Sequence, residues 1–145
     1  MAARTLREIM TTNPKTAEPK TPVYEVARLM KSENVGSIPV VEGGKLVGIV
    51  TDRDLCLDVL GERKPDDSPV ADFMTTRPQT ATSDTTIHAA AQLMQTHQIR
   101  RLPVVDSDNL VGIVALADLA VDTASEGLKA ETLEEISQST SGSNA

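Results

Sequence analysis

Between Thr21 and Leu60 the apolar positions change period twice. Val23, Val26, Ala27, Leu29 and Met30 recur at helical spacing, so a helix is expected there. Thr21 is the expected N-cap and Pro22 suits the first helical position. Two β-rich runs follow, Ile38–Val41 and Lys45–Val50. Gly43-Gly44 between them suits a tight hairpin, because both positions tolerate positive φ. A second helix is expected to start near Thr51 or Asp52. A short extended piece, Lys15–Ala17, precedes all of this.

The same pattern recurs 64 positions later without a gap. Met10-Thr11-Thr12 aligns with Met74-Thr75-Thr76, and Pro39-Val40-Val41 with Pro103-Val104-Val105. Leu46–Val50 (LVGIV) aligns with Leu110–Val114, and Asp54-Leu55 with Asp118-Leu119. From Met10 to Leu60, 21 of 51 positions are identical. The second copy has its helical stripe at Ile87, Ala90, Ala91, Leu93 and Met94, and its extended piece at Gln79–Ala81. Its hairpin turn, Ser107-Asp108, is less suited to positive φ than two glycines. The order is β-α-β-β-α, twice, in a mixed α/β (α+β) fold. Neither copy is long enough to bury both faces of its sheet alone, so the two are expected to pack face to face. The boundaries read as 7–61 for repeat 1, 62–69 for a polar linker with two prolines, and 70–124 for repeat 2. Residues 125–145 form a polar tail, in which Leu128–Ile136 has the pattern of a weak amphipathic helix and Ser137–Ala145 that of disorder.

Composition narrows the function classes. Tyr24 and Phe73 are the sole aromatics, so the core is aliphatic. The net charge is −7 and no basic stripe exists, which argues against nucleic acid and anionic membranes. Cys56 is the one cysteine, so no internal disulfide forms and a reducing, cytoplasmic compartment is the simple reading. No run reaches the roughly 18–20 apolar residues of a membrane span. No nucleophile has an adjacent base and no P-loop is present, so the chain reads as a non-enzyme. His88 and His97 lie nine apart without a carboxylate or cysteine cluster, so no metal site is expected.

The motifs IM-T-x-x-P-x-T, A-x-x-L-M, I-P-V-V and L-V-G-I-V-T-x-R-D, in order and twice, resemble the CBS domain pair, also called a Bateman module. The resemblance runs from about Arg7 to Ala124 and implies a small stand-alone CBS-pair protein. It implies two repeats packed through their sheets with pseudo-two-fold symmetry. It also implies a homodimer, a disc of four repeats, and an adenosine-containing regulatory ligand (AMP, ADP, ATP or S-adenosylmethionine) in a cleft between the repeats. No cofactor is required.

The family's ligand motif, G-h-x-[T/S]-x-x-[D/N], falls on Gly48–Asp54. A hydroxyl at Thr51 can donate to a phosphate or ribose oxygen, and a carboxylate at Asp54 can accept from both ribose hydroxyls. Free backbone N–H groups at the helix start are expected to point the same way. The resemblance implies that Ile49, Thr51 and Asp54 are completed by Gln79, Thr80, Ile99, Arg100, Arg101 and Pro103, with the arginines clamping phosphate. A weaker second site would join Asp118 to Lys15, Thr16, Gly36, Ser37 and Pro39. Ala115 there lacks the hydroxyl, so one good site per chain is expected.

Plainer readings stand beside these. Asp54 is also a first-turn acid worth about 0.3–1 kcal/mol to its helix, and Thr51 an N-cap. Arg100 and Arg101 also read as surface charges, and Cys56 as a small packed residue. At the level of function the alternative is a ligand-free dimerisation, protein-interaction or stress-response module of the same fold. Possible protein effectors are not named by any motif.

Overall fold

The computed structural model describes residues 4–120. The elements are β1 (Thr11–Thr12), α1 (Val23–Glu33), β2 (Ser37–Glu42), β3 (Lys45–Thr51), α2 (Asp52–Asp54), β4 (Thr75–Thr76), α3 (Ile87–His97), β5 (Arg101–Asp106) and β6 (Asn109–Ala115). Helix α2 runs on into a wider helical stretch, Leu55–Leu60, and residues 116–120 are helical. The fold is thus mixed helix and antiparallel sheet, as expected. The expected tail helix at Leu128–Ile136 and the polar end lie outside the described residues.

The described residues group into two compact units: residues 15–78, the Thr51 unit, and residues 4–14 with 79–120, the Ala115 unit. In each, a hairpin pairs a short outer strand. In the Thr51 unit β2 and β3 pair antiparallel from Ser37↔Thr51 to Glu42↔Lys45, with a bulge at Val40/Val41. Strand β4 joins β3 at Gly48↔Thr76 and Ile49↔Thr75. The Ala115 unit repeats this register, with β5 and β6 pairing from Arg101↔Ala115 to Asp106↔Asn109 and β1 joining β6 at Gly112 and Ile113. The extended pieces expected at Lys15–Ala17 and Gln79–Ala81 shrink to single parallel bridges, Ala17 to Val40 and Ala81 to Val104.

Alternation sets the core. In the Thr51 unit Ile38, Val40 and Val50 face Val23, Val26 and Met30 of α1, with Ala17, Val59 and Val70 completing the cluster. In the Ala115 unit Leu102, Val104 and Val114 face Ile87, Ala90, Ala91 and Met94, with Leu6 and Leu119. The segment before each repeat therefore packs on the other repeat's body. Leu6 belongs to repeat 1 in sequence and to the Ala115 unit in space; Val70 belongs to repeat 2 and to the Thr51 unit. Both are fully buried. Backbone bonds hold the two leaders equivalently: Leu6 N–H donates to Thr85 O and Arg7 N–H to Ser83 O, as Val70 does to Thr21 O and Ala71 to Pro19 O. The segment expected as a linker is itself tied down, since Ser68 O and Asp66 O accept from Val23 and Tyr24 N–H.

Gly48 and Gly112 make the leaders fit. A Cβ on Gly48 would lie 2.6 Å from Met74 Sδ and 2.9 Å from Thr75 O; one on Gly112 would lie 2.7 Å from Met10 Sδ and 3.0 Å from Thr11 O. The Met-Thr and Gly motifs of the repeat are thus partners in packing.

The Ala115 unit adds a polar latch. Ser83, 2% exposed, donates its hydroxyl to Asp106 Oδ2 at 2.6 Å and its N–H to Oδ1 at 3.0 Å. Arg7 Nη2 donates to Ser83 Oγ at 2.7 Å, and Arg7 Nη1 pairs with Asp84 at 2.9 Å. The two bonds from Ser83, helped by the Arg7 charge, hold the Asp106 carboxyl below its usual range. Pro19 and Ala71 stand at the matching positions of the Thr51 unit, which cannot build this latch.

Two local expectations are corrected, at Thr21 with Pro22 and at Cys56. Thr21 does not cap α1: its hydroxyl accepts from Glu18 N–H at 2.9 Å, closing the preceding turn, and Pro22 occupies the N-cap. Thr85 does the same in repeat 2, where Thr86 then caps α3 through Ala89 N–H at 3.1 Å. Cys56 is exposed rather than packed, because the helical stretch Leu55–Leu60 turns Val59 inward and leaves Cys56, Leu57 and Leu60 outward. The hairpin turn at Ser107-Asp108 adopts φ of 51° and 68°, the same left-handed geometry as Gly43-Gly44, so the register overrides residue preference there.

Candidate functional site

The end of β3 is where the expected ligand residues begin. Thr51 is the N-cap of α2, and its Oγ1 accepts from Asp54 N–H at 3.1 Å. Asp54 Oδ2 in turn accepts from Thr51 N–H at 2.9 Å. This is a capping box with aspartate in the third position. It leaves the Thr51 hydroxyl proton as a donor and Asp54 Oδ1 as an acceptor, both on half-buried side chains held in one geometry.

The free N–H groups expected at this helix start are not free. Asp52 N–H donates to Gly36 O at 2.9 Å, Arg53 N–H to Asp52 Oδ1 at 2.8 Å, and Asp54 N–H to Thr51. Backbone donors are therefore spent on the fold, and side chains remain for a ligand.

The Ala115 unit keeps half of the box. Asp118 Oδ2 accepts from Ala115 N–H at 3.2 Å, but Ala115 has no hydroxyl to answer. The carboxylate's bond to the cap backbone thus survives without the threonine, which is the structural role the plainer reading assigns to Asp54.

Within each unit the remaining candidates fall into two sets. In the Thr51 unit, Ser37 stands opposite Thr51 and Pro39 opposite Ile49, on the sheet face turned away from Ile38, Val40 and Val50. Lys15 and Thr16 lead into Ala17, whose N–H donates to Pro39 O. Gly36 lies beneath Asp52, whose Oδ2 would be 3.2 Å from an added Cβ. In the Ala115 unit, Arg101 stands opposite Ala115 and Pro103 opposite Ile113. Gln79 and Thr80 lead into Ala81, whose N–H donates to Pro103 O, and Leu116 N–H donates to Arg100 O. Ile99 packs against that unit's core. Among the described residues no carboxylate pairs with the half-buried Arg101.

Among these candidates Ser37, Thr51 and Asp54 lie together by register in the Thr51 unit, and the adjacent cations Arg100 and Arg101 enter β5 in the Ala115 unit. The resemblance implied that Ser37 acts with Asp118; within its own unit, strand register sets Ser37 opposite Thr51. The pairing of β2 with β3 through the Gly43-Gly44 turn carried that information. Among the described residues no group of three His, Cys, Asp or Glu could hold a metal ion, and no helix is long and apolar enough to cross a membrane.

A family model, CBS domain, matches residues 6–61 and 70–121. The chain is 45% identical over 132 residues to the CBS domain-containing protein YhcV of Bacillus subtilis (strain 168), covering 91% of this chain and 94% of that protein. Among solved structures it is similar to CBSX2 in complex with AMP, with a TM-score of 0.75 and 28% identity, covering 86% of this chain and 99% of that one. It is likewise similar to the CBS domain pair of protein MJ0100 in complex with 5′-methylthioadenosine and S-adenosyl-L-methionine. The TM-score there is 0.76 and the identity 28%, covering 86% and 99% of the two chains.

Proposed function

This chain belongs to the CBS domain family, and we propose that it is a non-catalytic regulatory module that senses an adenosine-containing ligand through Thr51 and Asp54. The observation that carries this reading is the closed capping box. It fixes a hydroxyl and a carboxylate three residues apart, with one donor and one acceptor unused, before any ligand arrives. A cis-diol needs such an acceptor, and a phosphate or ring oxygen such a donor. The AMP complex of CBSX2 and the adenosyl complexes of MJ0100 support adenosine as the ligand class. In its own unit the basic set Arg100 and Arg101, with Gln79 and Thr80, is the candidate for phosphate. Ala115 marks the weaker copy, so the reading is one good site per chain.

The test is calorimetry on nucleotide-stripped protein with AMP, ADP, ATP and S-adenosylmethionine. Binding of one of these near one per chain, lost in Asp54→Ala, is the expected result. Two equal sites per chain would remove the assigned difference between Thr51 and Ala115. No heat and no thermal shift with any of the four would leave Asp54 as a helix cap alone.

A second reading has its own observation. Leu57 and Leu60 are 49% and 74% exposed on one helix of a cytoplasmic-type chain with few apolar residues to spare. We assign them to self-association, as a homodimer. The expected outcome is that Leu57→Ser with Leu60→Ser lowers the sedimenting mass without unfolding the chain. If the double variant loses its dimer and the wild type binds no nucleotide, the module acts by docking rather than sensing.

A further inference from the structure

Four methionines lie among the described residues, and the repeat sorts them into two matched pairs. Met30 and Met94 are sealed in the cores at 7% and 0% exposure. Met10 and Met74 are half-buried, each packed against the core of the unit that holds its leader. Each rests on a glycine. A Cβ on Gly112 would lie 2.7 Å from Met10 Sδ and 2.9 Å from its Cγ, and one on Gly48 would lie 2.6 Å from Met74 Sδ and 2.9 Å from its Cγ. The thioether of each leader thus sits directly on strand backbone. The same residues close the leader turns, since Met10 N–H donates to Leu6 O at 2.8 Å and Met74 N–H to Val70 O at 3.0 Å. The outer strands β1 and β4 follow at once, and each is paired over two residues.

We infer that Met10 and Met74 are an oxidation-sensitive pair, and that their conversion to sulfoxides by a peroxide loosens β1 and β4, whether or not a nucleotide is bound. The thioether sulfur attacks one peroxide oxygen, the O–O bond breaks, and a proton transfer turns the leaving hydroxide into water. The sulfur gains one oxygen and gives up two electrons, and the peroxide is reduced. The product is polar and larger, on a sulfur whose inner side is pressed against Gly48 or Gly112. The glycine strands are fixed from the other side, because Gly48 pairs with Val40 and Gly112 with Val104, both fully buried. The leader, held there by a two-residue strand, is the part that yields. Partial exposure admits the oxidant to Met10 and Met74, while burial protects Met30 and Met94.

Hydrogen peroxide added to the full chain, followed by peptide mass spectrometry and thermal melting, tests this. Met10 and Met74 are expected to oxidise before Met30 and Met94. Tm is expected to fall by about 3 °C for each sulfoxide, and methionine sulfoxide reductases to restore both mass and Tm. The double variant Met10→Leu with Met74→Leu nearly conserves volume and retains Met30, Met94 and Cys56, so it should hold its Tm in peroxide. Oxidation of Met30 or Met94 as early as the other two overturns the inference. Complete conversion of Met10 and Met74 with an unchanged Tm also overturns it. An equal fall of Tm in the double variant does so too, because Cys56 or another group is then the sensitive one. If the double variant is too unstable to compare, the order of oxidation and the reversal by reductase in the wild type decide the matter.

Discussion

The chain contains its own control for the capping box, because Ala115 is in effect a natural Thr→Ala variant of position 51. Thr51→Ala removes the acceptor for Asp54 N–H at 3.1 Å. It leaves the Asp54 bond to the cap N–H, since that bond uses backbone and persists at 3.2 Å between Asp118 and Ala115. One hydrogen bond is lost, not two. Replacing an N-cap threonine by alanine typically costs about 1 kcal/mol. For a chain of this size that corresponds to a fall of about 3 °C in Tm. The reverse change, Ala115→Thr, completes the second box and raises Tm by a similar amount. Urea denaturation of both variants without nucleotide checks the pair. A loss of about 3 kcal/mol or more for Thr51→Ala would mean that the Asp54 bond also fails, contrary to what position 118 shows. No change in either variant would mean that the hydroxyl bond contributes nothing, and Thr51 would then be explained by ligand alone.

Three further outcomes follow from the packing and the backbone. Gly48→Ala forces the Thr75 carbonyl, 2.9 Å from the new Cβ, to move; an overpacking cost of about 1–3 kcal/mol is expected, read as a lower urea midpoint, and an unchanged midpoint would show that β4 gives way freely. Ser107→Gly and Asp108→Gly relieve left-handed backbone at φ 51° and 68°, so each raises stability by about 1 kcal/mol, and a loss in both would show that the side chains, not the backbone, hold the turn. Asp106 has a folded-state pKa below its unfolded one, so the stability it contributes is present above about pH 4 and fades as pH falls through the lower folded value; the acid limb of a stability–pH curve should flatten in Ser83→Ala and in Asp106→Asn alike.

Much of the fold was legible because the repeat wrote it twice. The helical stripe at Val23–Met30, the alternating strands and the Gly-Gly turn depend on neighbours in sequence, and each appears where periodicity put it. What escaped depends on contacts distant in sequence. Thr21 reads as an N-cap, yet the turn from Glu18 takes its hydroxyl because the Thr21 carbonyl is committed to Val70 N–H. The outer strands at Thr11–Thr12 and Thr75–Thr76 are two residues long, too short for a periodic signal. At the candidate site, T-x-x-D already spelled a capping box, so the occupied helix start could have been read from Thr51 to Asp54. The pairing of Ser37 with Thr51 could have been counted outward from Gly43-Gly44, except that the bulge at Val40/Val41 shifts the count by one.

The exchange of leaders has a consequence for how the repeats hold together. The Ala115 unit takes residues 4–14 from the start of the chain and 79–120 from its far half; the Thr51 unit takes residues 15–78, the linker included. A cut in the exposed turn at residues 62–65 therefore severs neither unit at its core, but leaves each built from two pieces. Leu6 on one side and Val70 with Phe73 and Met74 on the other remain as noncovalent plugs. Full burial of Leu6 or Val70 contributes about 1.5–3 kcal/mol each, and the leader backbone bonds and the Arg7–Ser83–Asp106 latch add to it. A protease site inserted between Lys64 and Pro65 tests this. After cleavage the two fragments should run as separate bands on a denaturing gel and elute together by native size exclusion. Elution as two separate species would show that each repeat closes its own core and that the leaders do not exchange. Adding Leu6→Ala to the cleaved protein should loosen the pair, because that residue then has no covalent tether to offset the lost burial.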